Sequence, residues 1–326
     1  CIGGGTGTFV ALRGLKYYPV GLCAFVTMSD SGGSNSRIRD EFGLLPTSDI
    51  RQCLVALADE NGGVGLLRKL FMYRFEKGKG ISGMTFGNLF MAALSDILGS
   101  QKQAIAQTGR VLRIRGTVIP ISFTKTNLSA EYENGHVVRE EHFIDEPTHD
   151  GTMRITKVYL KPQARANPEA IAAILSADLI VLGPGDLYTS LIPNLLVTGI
   201  RQAIQKSKAK KAYVLNLMTK YGQTYNFKAS DHIHTLEKYV GQTMTHVLVS
   251  TSKLPDRALT LYAKSHENPV ADDLPAKNYF RVLRSDLASQ ALVKNTPSDT
   301  LVRSLIRHDS QKLAKQLATI AERSNK

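Results

Sequence analysis

Apolar positions along this chain follow two alternating rhythms. Short unbroken runs, such as 21–28 and Leu179-Ile180-Val181-Leu182, have the length and make-up of buried strands. Between such runs, apolar residues return every three or four positions. Ile50, Cys53, Leu54 and Leu57 mark one face of a helix that begins after Pro46. Thr47 or Ser48 is its expected N-cap, with Asp49 in the first turn. Similar spacing predicts helices over 9–16, near 63–73, at about 86–98, near 194–206, near 230–240 and from about 309, and another opens at Pro168. Strand patterns fall at 178–182, 212–217 and 245–250.

The texture changes over 110–160. Stretches 111–122, 129–132 and 136–139 read as strands, with a turn at Asn134-Gly135. The pattern therefore predicts a doubly wound α/β core interrupted by a mostly β insertion. The region before the last helix is less regular. No internal repeat and no low-complexity stretch breaks this scheme.

Composition narrows the class without changing it. With 43% hydrophobic and 21% charged residues, the 326-residue chain can bury a sizeable core. No apolar run approaches the roughly 20 residues of a membrane span, and no secretory signal is visible. Three cysteines in no C-x-x-C pair argue against a disulfide framework and point to a reducing cytoplasm. Cys53 falls on an apolar helical face and is expected in the core. The chain does not open with Met and its first strand is cut to two residues, so a few preceding residues are expected. The net charge of +13 is scattered, with one short cluster at Lys206, Lys208, Lys210 and Lys211 that reads as a solvated helix end. Aromatic residues do not interleave with it, as a nucleic-acid surface would require. The charge suits a phosphate-rich small ligand.

Candidate chemistry gathers where strands should end and helices begin, the place where open α/β sheets bind ligands. Gly3-Gly4-Gly5-Thr6-Gly7-Thr8 is a glycine turn leading into the first helix. Without a Cβ the backbone can pass close to phosphate oxygens, and the helix dipole favours an anion there. Thr8 stands where the last glycine of G-x-G-x-x-G would fall, and a tight turn without ligand is the competing reading.

Asp30-Ser31-Gly32-Gly33 follows the second strand; Asp30 is suited to a metal ion, a ribose hydroxyl or a substrate hydroxyl, against a plain solvent turn. Asp49 and Asn88 each open a helix and fit either capping or chemistry. Gly183-Pro184-Gly185-Asp186, running on into Tyr188 and Thr189, is a second glycine loop after a wholly apolar strand, and Asn216 ends the next strand. In Arg307-His308-Asp309-Ser310, Asp309 is a natural N-cap, while Arg307 fits either a bidentate anion contact or a surface ion pair. His142, Asp145, His149 and Asp150 match no standard zinc spacing and read as a solvated loop. A P-loop and a local Ser-His-Asp or Cys-His signature are absent from the sequence.

Taken in order, IGGGTGTFVALRGLK, the block from Val26 to Asp59, SGMTFGNLFMAAL, VLGPGDLYTSLIPNLLV, NLMTKYGQT and ASDHI resemble the YvcK/CofD family, and the YvcK branch more than the transferase branch. The resemblance runs from residue 2 to about 250 and more weakly through Arg307-His308 to the last helix. It implies one Rossmann-like nucleotide-binding domain over 1–326, a three-layer α/β/α core with a mostly parallel sheet and the β-rich insertion at 110–160. It further implies a cytoplasmic bacterial protein that binds a UDP-sugar, notably UDP-N-acetylglucosamine. Links to cell-wall synthesis, cell shape and gluconeogenic growth come with that branch, and a regulatory protein partner fits that role; the oligomeric state stays open, with a homo-oligomer compatible with the sequence.

On this resemblance the nucleotide site uses Gly3, Gly4, Gly5, Thr6, Gly7, Thr8, Gly32, Gly33, Gly183, Pro184, Gly185, Asp186, Tyr188, Thr189 and Asn216, with Arg307 at the sugar or phosphate. An acidic pocket uses Asp30, Asp49 and Asn88. The other branch transfers a phospholactyl group from a nucleotide-activated donor with Mg²⁺; in that case Asp30 and Asp49 are the catalytic candidates and Asp30 the metal ligand. Family members often carry two aspartates before the paired glycines, whereas this chain has Asp30-Ser31, which weakens a Mg²⁺ site. A dehydrogenase fits less well, because its glycine fingerprint is irregular here and a second glycine loop has no use in hydride transfer.

Overall fold

The computed structural model describes residues 1–29, 31–32, 34–293 and 304–322. The ten strands are β1 (Ile2–Gly3), β2 (Cys23–Val26), β3 (Thr117–Pro120), β4 (Asn127–Tyr132), β5 (Val137–Arg139), β6 (Ile155–Lys161), β7 (Leu179–Leu182), β8 (Lys210–Val214), β9 (His246–Ser250) and β10 (Arg281–Ser285). Seven of them form a parallel sheet in the order β10-β9-β8-β7-β1-β2-β3. The chain winds outward from β1 to β2 and β3, then returns to β7 and winds the other way. The order reverses between β1 and β7, and that reversal leaves a crevice at the strand C-termini.

Helices cover both faces because the strands alternate. Ile180, Leu182, Tyr213, Val247 and Val249 enter the core shared with helices Pro168–Leu175, Ile200–Lys206 and Ala229–Val240. Val181, Ala212, Val214 and Leu248 point the other way, into a core with helices Gly5–Leu15 and Ser310–Glu322. A run apolar at every position is thus what a strand buried on both faces requires. Helix Ser48–Leu57 packs beside β2 on that second face, and Cys53 is fully buried within it.

The insertion is smaller than its sequence suggests. Strands β4, β5 and β6 form an antiparallel sheet in the order β5-β4-β6, followed on the β5 side by the short helix Glu141–Asp145. The expected strand 111–122 does not belong to it. Residues Gln101–Val111 are helical, and Thr117–Pro120 joins the main sheet parallel to β2. The irregular stretch before the last helix holds a helix, Asp256–Lys264, and strand β10. The helix expected near 194–206 is interrupted: a single turn, Ile192–Leu195, ends before Gly199, whose φ of +101° is left-handed, and Ile200–Lys206 follows. Of the lysine cluster, Lys210 and Lys211 are not on a solvated helix end. They lie in β8, and their ammonium groups bond the carbonyls of Ile320 and Ser207. Among the described residues no helix is long and apolar enough to cross a membrane.

Candidate functional site

A cleft of about 210 Å³ opens at the crevice between β1 and β7. Its floor is the pair of glycine loops. Helix Gly5–Leu15 starts directly after β1, and Gly4, Gly5, Thr6 and Gly7 line the cleft. The second loop leaves β7 with Gly183 at φ +77°, a conformation that favours glycine, and presents Pro184, Gly185 and Asp186 to the same space. The loops touch. A Cβ on Gly7 would stand 2.2 Å from the Pro184 carbonyl oxygen. Asn216, just beyond β8, donates from its side-chain amide to the Gly185 carbonyl at 2.9 Å and holds the second loop in place.

The first helix N-terminus already meets one carboxylate. Asp49 accepts the Gly5 N–H at 2.8 Å from the start of helix Ser48–Leu57. The following N–H groups of that first turn, those of Thr6 and Gly7, have no acceptor within the helix. Helix Ser48–Leu57 is itself capped from outside: Asn35 accepts the Thr47 and Ser48 N–H groups at 3.1 Å and the Ser48 hydroxyl at 2.9 Å. The expected Thr47 or Ser48 side-chain cap is replaced by this buried amide. Asn88 stands behind the cleft rather than in its lining. It donates to the Ser48 hydroxyl at 3.2 Å and accepts from Arg51 at 3.0 Å, tying two helix starts together.

Other expected residues separate in the same way. Gly32, Thr189 and Arg307 line the cleft; Gly3, Thr8, Gly183 and Tyr188 do not. Tyr188 is buried with its hydroxyl 3.4 Å from the Ile155 carbonyl and its ring against Phe227, which makes it a core residue. Thr8 is fully buried in the helix. Asp30 and Gly33 lie outside the described residues.

The insertion supplies a wall that the sequence reading assigned to solvent. His142 and Asp145 line the cleft. The His142 N–H donates to the Ser31 hydroxyl at 3.1 Å, and Ser31 N–H donates to the Glu141 carboxylate at 3.4 Å, so the helix Glu141–Asp145 grips the loop after β2. His149 packs on Tyr132 instead, and Asp150 is exposed.

Two charged residues of the cleft, Lys220 and Glu267, lie outside the candidates that the sequence offers. Lys220 places its ammonium 3.0 Å from Asp145 and 3.8 Å from Asp186, joining insertion to glycine loop. Burial alone would lower its pKa, but the carboxylates of Asp145 and Asp186 outweigh it and hold the group charged. Glu267 accepts the Tyr221 N–H at 3.3 Å and faces the same cluster. Burial pushes its carboxyl up to about 7 against the pull of Lys220. Lys220 sits just past a strand end, which was its available signal; Glu267 lies where the sequence shows no period. Near the far rim, Asp309 caps the last helix as expected, accepting the Gln311 and Lys312 N–H groups at 2.9 Å.

A crevice at a sheet reversal, floored by two glycine loops and walled by polar and charged groups, defines a doubly wound α/β protein with a cleft at the place where open parallel sheets take ligands. The sequence signature of the family described as 2-phospho-L-lactate transferase CofD matches residues 1–289. The chain is 38% identical to the gluconeogenesis factor of Bacillus subtilis, over 98% of this chain and 96% of that protein. It is 41% identical to a putative gluconeogenesis factor of Thermotoga maritima, over 98% of both. A crystal structure of a Bacillus halodurans protein superposes with a TM-score of 0.87 at 36% identity, covering 97% of both chains. The chain belongs to the YvcK/CofD family, in company with relatives named gluconeogenesis factors.

Proposed function

We propose that this protein binds a UDP-sugar, UDP-N-acetylglucosamine first among them, and acts as a regulator that reports the supply of that precursor to cell-wall synthesis, cell shape and gluconeogenic growth. The contact between the two glycine loops carries the reading. It sets the Thr6 and Gly7 N–H groups, which have no acceptor within the helix, beside the backbone of Gly185, an arrangement suited to a diphosphate. Arg307 reaches the same cleft and serves the phosphate or sugar as a bidentate donor. Ser48, Asp49 and Thr27, at the β2 side, suit sugar hydroxyls. Occupancy alters how Lys220 shares its charge between Asp145 and Asp186, and so how the insertion meets a protein partner.

The test is thermal. UDP-N-acetylglucosamine raises the melting temperature because it binds the folded state alone. No shift at millimolar ligand, with GDP or NAD stabilising instead, overturns the proposal.

The family description favours a second reading, transfer of a phospholactyl-type group from a nucleotide-activated donor with Mg²⁺. On that reading the metal ligand Asp30 lies outside the described residues, while Asp49 is bonded to Gly5 and Asp145 is paired with Lys220. Release of nucleoside monophosphate from a donor, abolished by Asp30→Asn, would establish the transferase.

A further inference from the structure

Helix Gly62–Met72 turns much of its apolar surface away from the protein. Phe71 alone is buried, and Leu67 packs partly against the core around helix Ser48–Leu57. Leu66, Leu70 and Tyr73, at i, i+4 and i+7, form a second apolar stripe that faces outward, with Leu66 71% exposed. Met72 is exposed beside it. The stripe runs on into a hairpin. The Phe86 N–H donates to the Tyr73 carbonyl at 2.9 Å, Phe75 N–H to the Met84 carbonyl at 2.9 Å, and Gly83 N–H to the Phe75 carbonyl at 2.8 Å. The Tyr73 and Phe75 rings meet edge to face, 5.2 Å between centroids. The hairpin tip, 76–82, is exposed throughout and adds Ile81; Arg37 holds it by donating to the Gly80 and Ser82 carbonyls.

The charge on this segment has one sign. Residues 62–83 hold five basic side chains against Glu76 alone. The arginines turn inward: Arg68 donates to the Val55 carbonyl at 3.0 Å and Arg74 to the Gly83 carbonyl at 2.7 Å. Lys69, Lys77 and Lys79 are exposed. A contiguous apolar surface with a charged margin marks a place where something docks. A second copy of this chain is disfavoured, because it would set one basic face against another. Protein partners favour arginine and leave lysine at the rim or out of the contact, the reverse of the distribution here. Lysines flanking protruding leucines suit anionic phospholipid headgroups, and a tyrosine suits the boundary between headgroup and acyl chain.

We propose that helix Gly62–Met72 and the hairpin after it form a docking surface for an anionic phospholipid bilayer. Leu66, Leu70 and Tyr73 enter the acyl boundary, while Lys69, Lys77 and Lys79 meet the headgroups. The protein then lies on a membrane without spanning it. Neither the stripe nor these lysines line the cleft, so this inference stands or falls apart from the nucleotide reading.

The experiment is co-sedimentation of the full chain with vesicles at about 0.15 M salt. Wild-type protein sediments with vesicles of equal parts phosphatidylglycerol and phosphatidylcholine, and stays in solution with phosphatidylcholine alone. Lys69→Gln, Lys77→Gln and Lys79→Gln together lower the partition on the order of a hundredfold. The same change at Lys208, Lys264 and Lys277, exposed lysines elsewhere, removes equal charge and leaves binding nearly intact. Leu66→Ser with Leu70→Ser keeps every charge and still lowers the partition at least about tenfold. Leu66→Trp gives a chain without tryptophan one fluorophore, whose emission shifts to the blue on anionic vesicles. No sedimentation with anionic vesicles, or equal sedimentation with neutral ones, overturns the proposal. So does an equal loss in the two lysine triples, which would assign binding to net charge, or full binding by the serine variant. A wild-type dimer that the serine variant dissolves would make a second copy the occupant and overturn it as well. Should a multiple variant not melt cooperatively, the Leu66→Trp emission decides, and an unshifted spectrum counts against the surface.

Discussion

Gly7 and Pro184 stand in contact across the crevice, the first helix start against the carbonyl of the second glycine loop, with room for no β-carbon between them. Gly7→Ala therefore has to push the loops apart or shift the helix. Overpacking of this kind costs about 1–3 kcal/mol, and denaturant unfolding will show the loss. The larger effect is on ligand: separated loops no longer converge on one diphosphate, so the stabilisation by UDP-N-acetylglucosamine disappears. Retained ligand stabilisation in a folded Gly7→Ala protein would mean that the loops do not share an anion.

Asp49 bonds the first N–H of helix Gly5–Leu15 from another helix. Asp49→Ala removes both the acceptor and a negative charge at a helix N-terminus, a loss of about 1–2 kcal/mol. Asp49→Asn keeps the acceptor and recovers part of it. Comparing the two by thermal unfolding at low and high salt separates charge from hydrogen bond, since the charge contribution is screened.

Glu267 makes stability depend on pH. Its folded pKa, about 7, lies above its ordinary value near 4.5 because burial disfavours the carboxylate. The folded state then holds a proton that the unfolded state has released, so this contribution is full below about pH 4.5 and is lost as pH rises through 7. Glu267→Gln removes the dependence. Across pH 5 to 7.5 the melting temperature of the wild type is expected to fall relative to the variant by about 2 °C or more. Parallel curves for the two proteins would place the titration elsewhere.

Asn216→Ala frees the Gly185 carbonyl without opening the core. Overall stability should change by about 1 kcal/mol, while affinity for the sugar nucleotide drops about tenfold because the loop must be ordered on binding. An affinity unchanged within twofold would show that the loop is held by its own backbone.

The legible parts of this fold are those with one local physical cause. Strands β7, β8 and β9 are buried on both faces, so their apolar runs stand out, and both glycine loops are visible because a side chain at Gly7 would collide. Helix Gln101–Val111 buries only Ala104, Ile105, Thr108 and Gly109, too small a stripe to announce itself. Strand β10 is an edge strand, half-buried and interrupted by Arg281 and Arg284, so its pattern is weak. Asp145 and Lys220 carry meaning only as a pair, and nothing local in either segment reports the other.

The two residues of β1 lie at the centre of the sheet, with Ile2 beside Phe25 on one side and Leu182 on the other. During synthesis the strand that opens the cleft is therefore made long before its second neighbour. Until β7 emerges, the first glycine turn has half a sheet and no opposing loop, and the nascent chain holds no cleft for a ligand to enter. Such distant pairing is slow to form. A ligand that bridges the two loops would act as a clasp on this late step, so its supply would be felt by newly made chains as well as by finished ones.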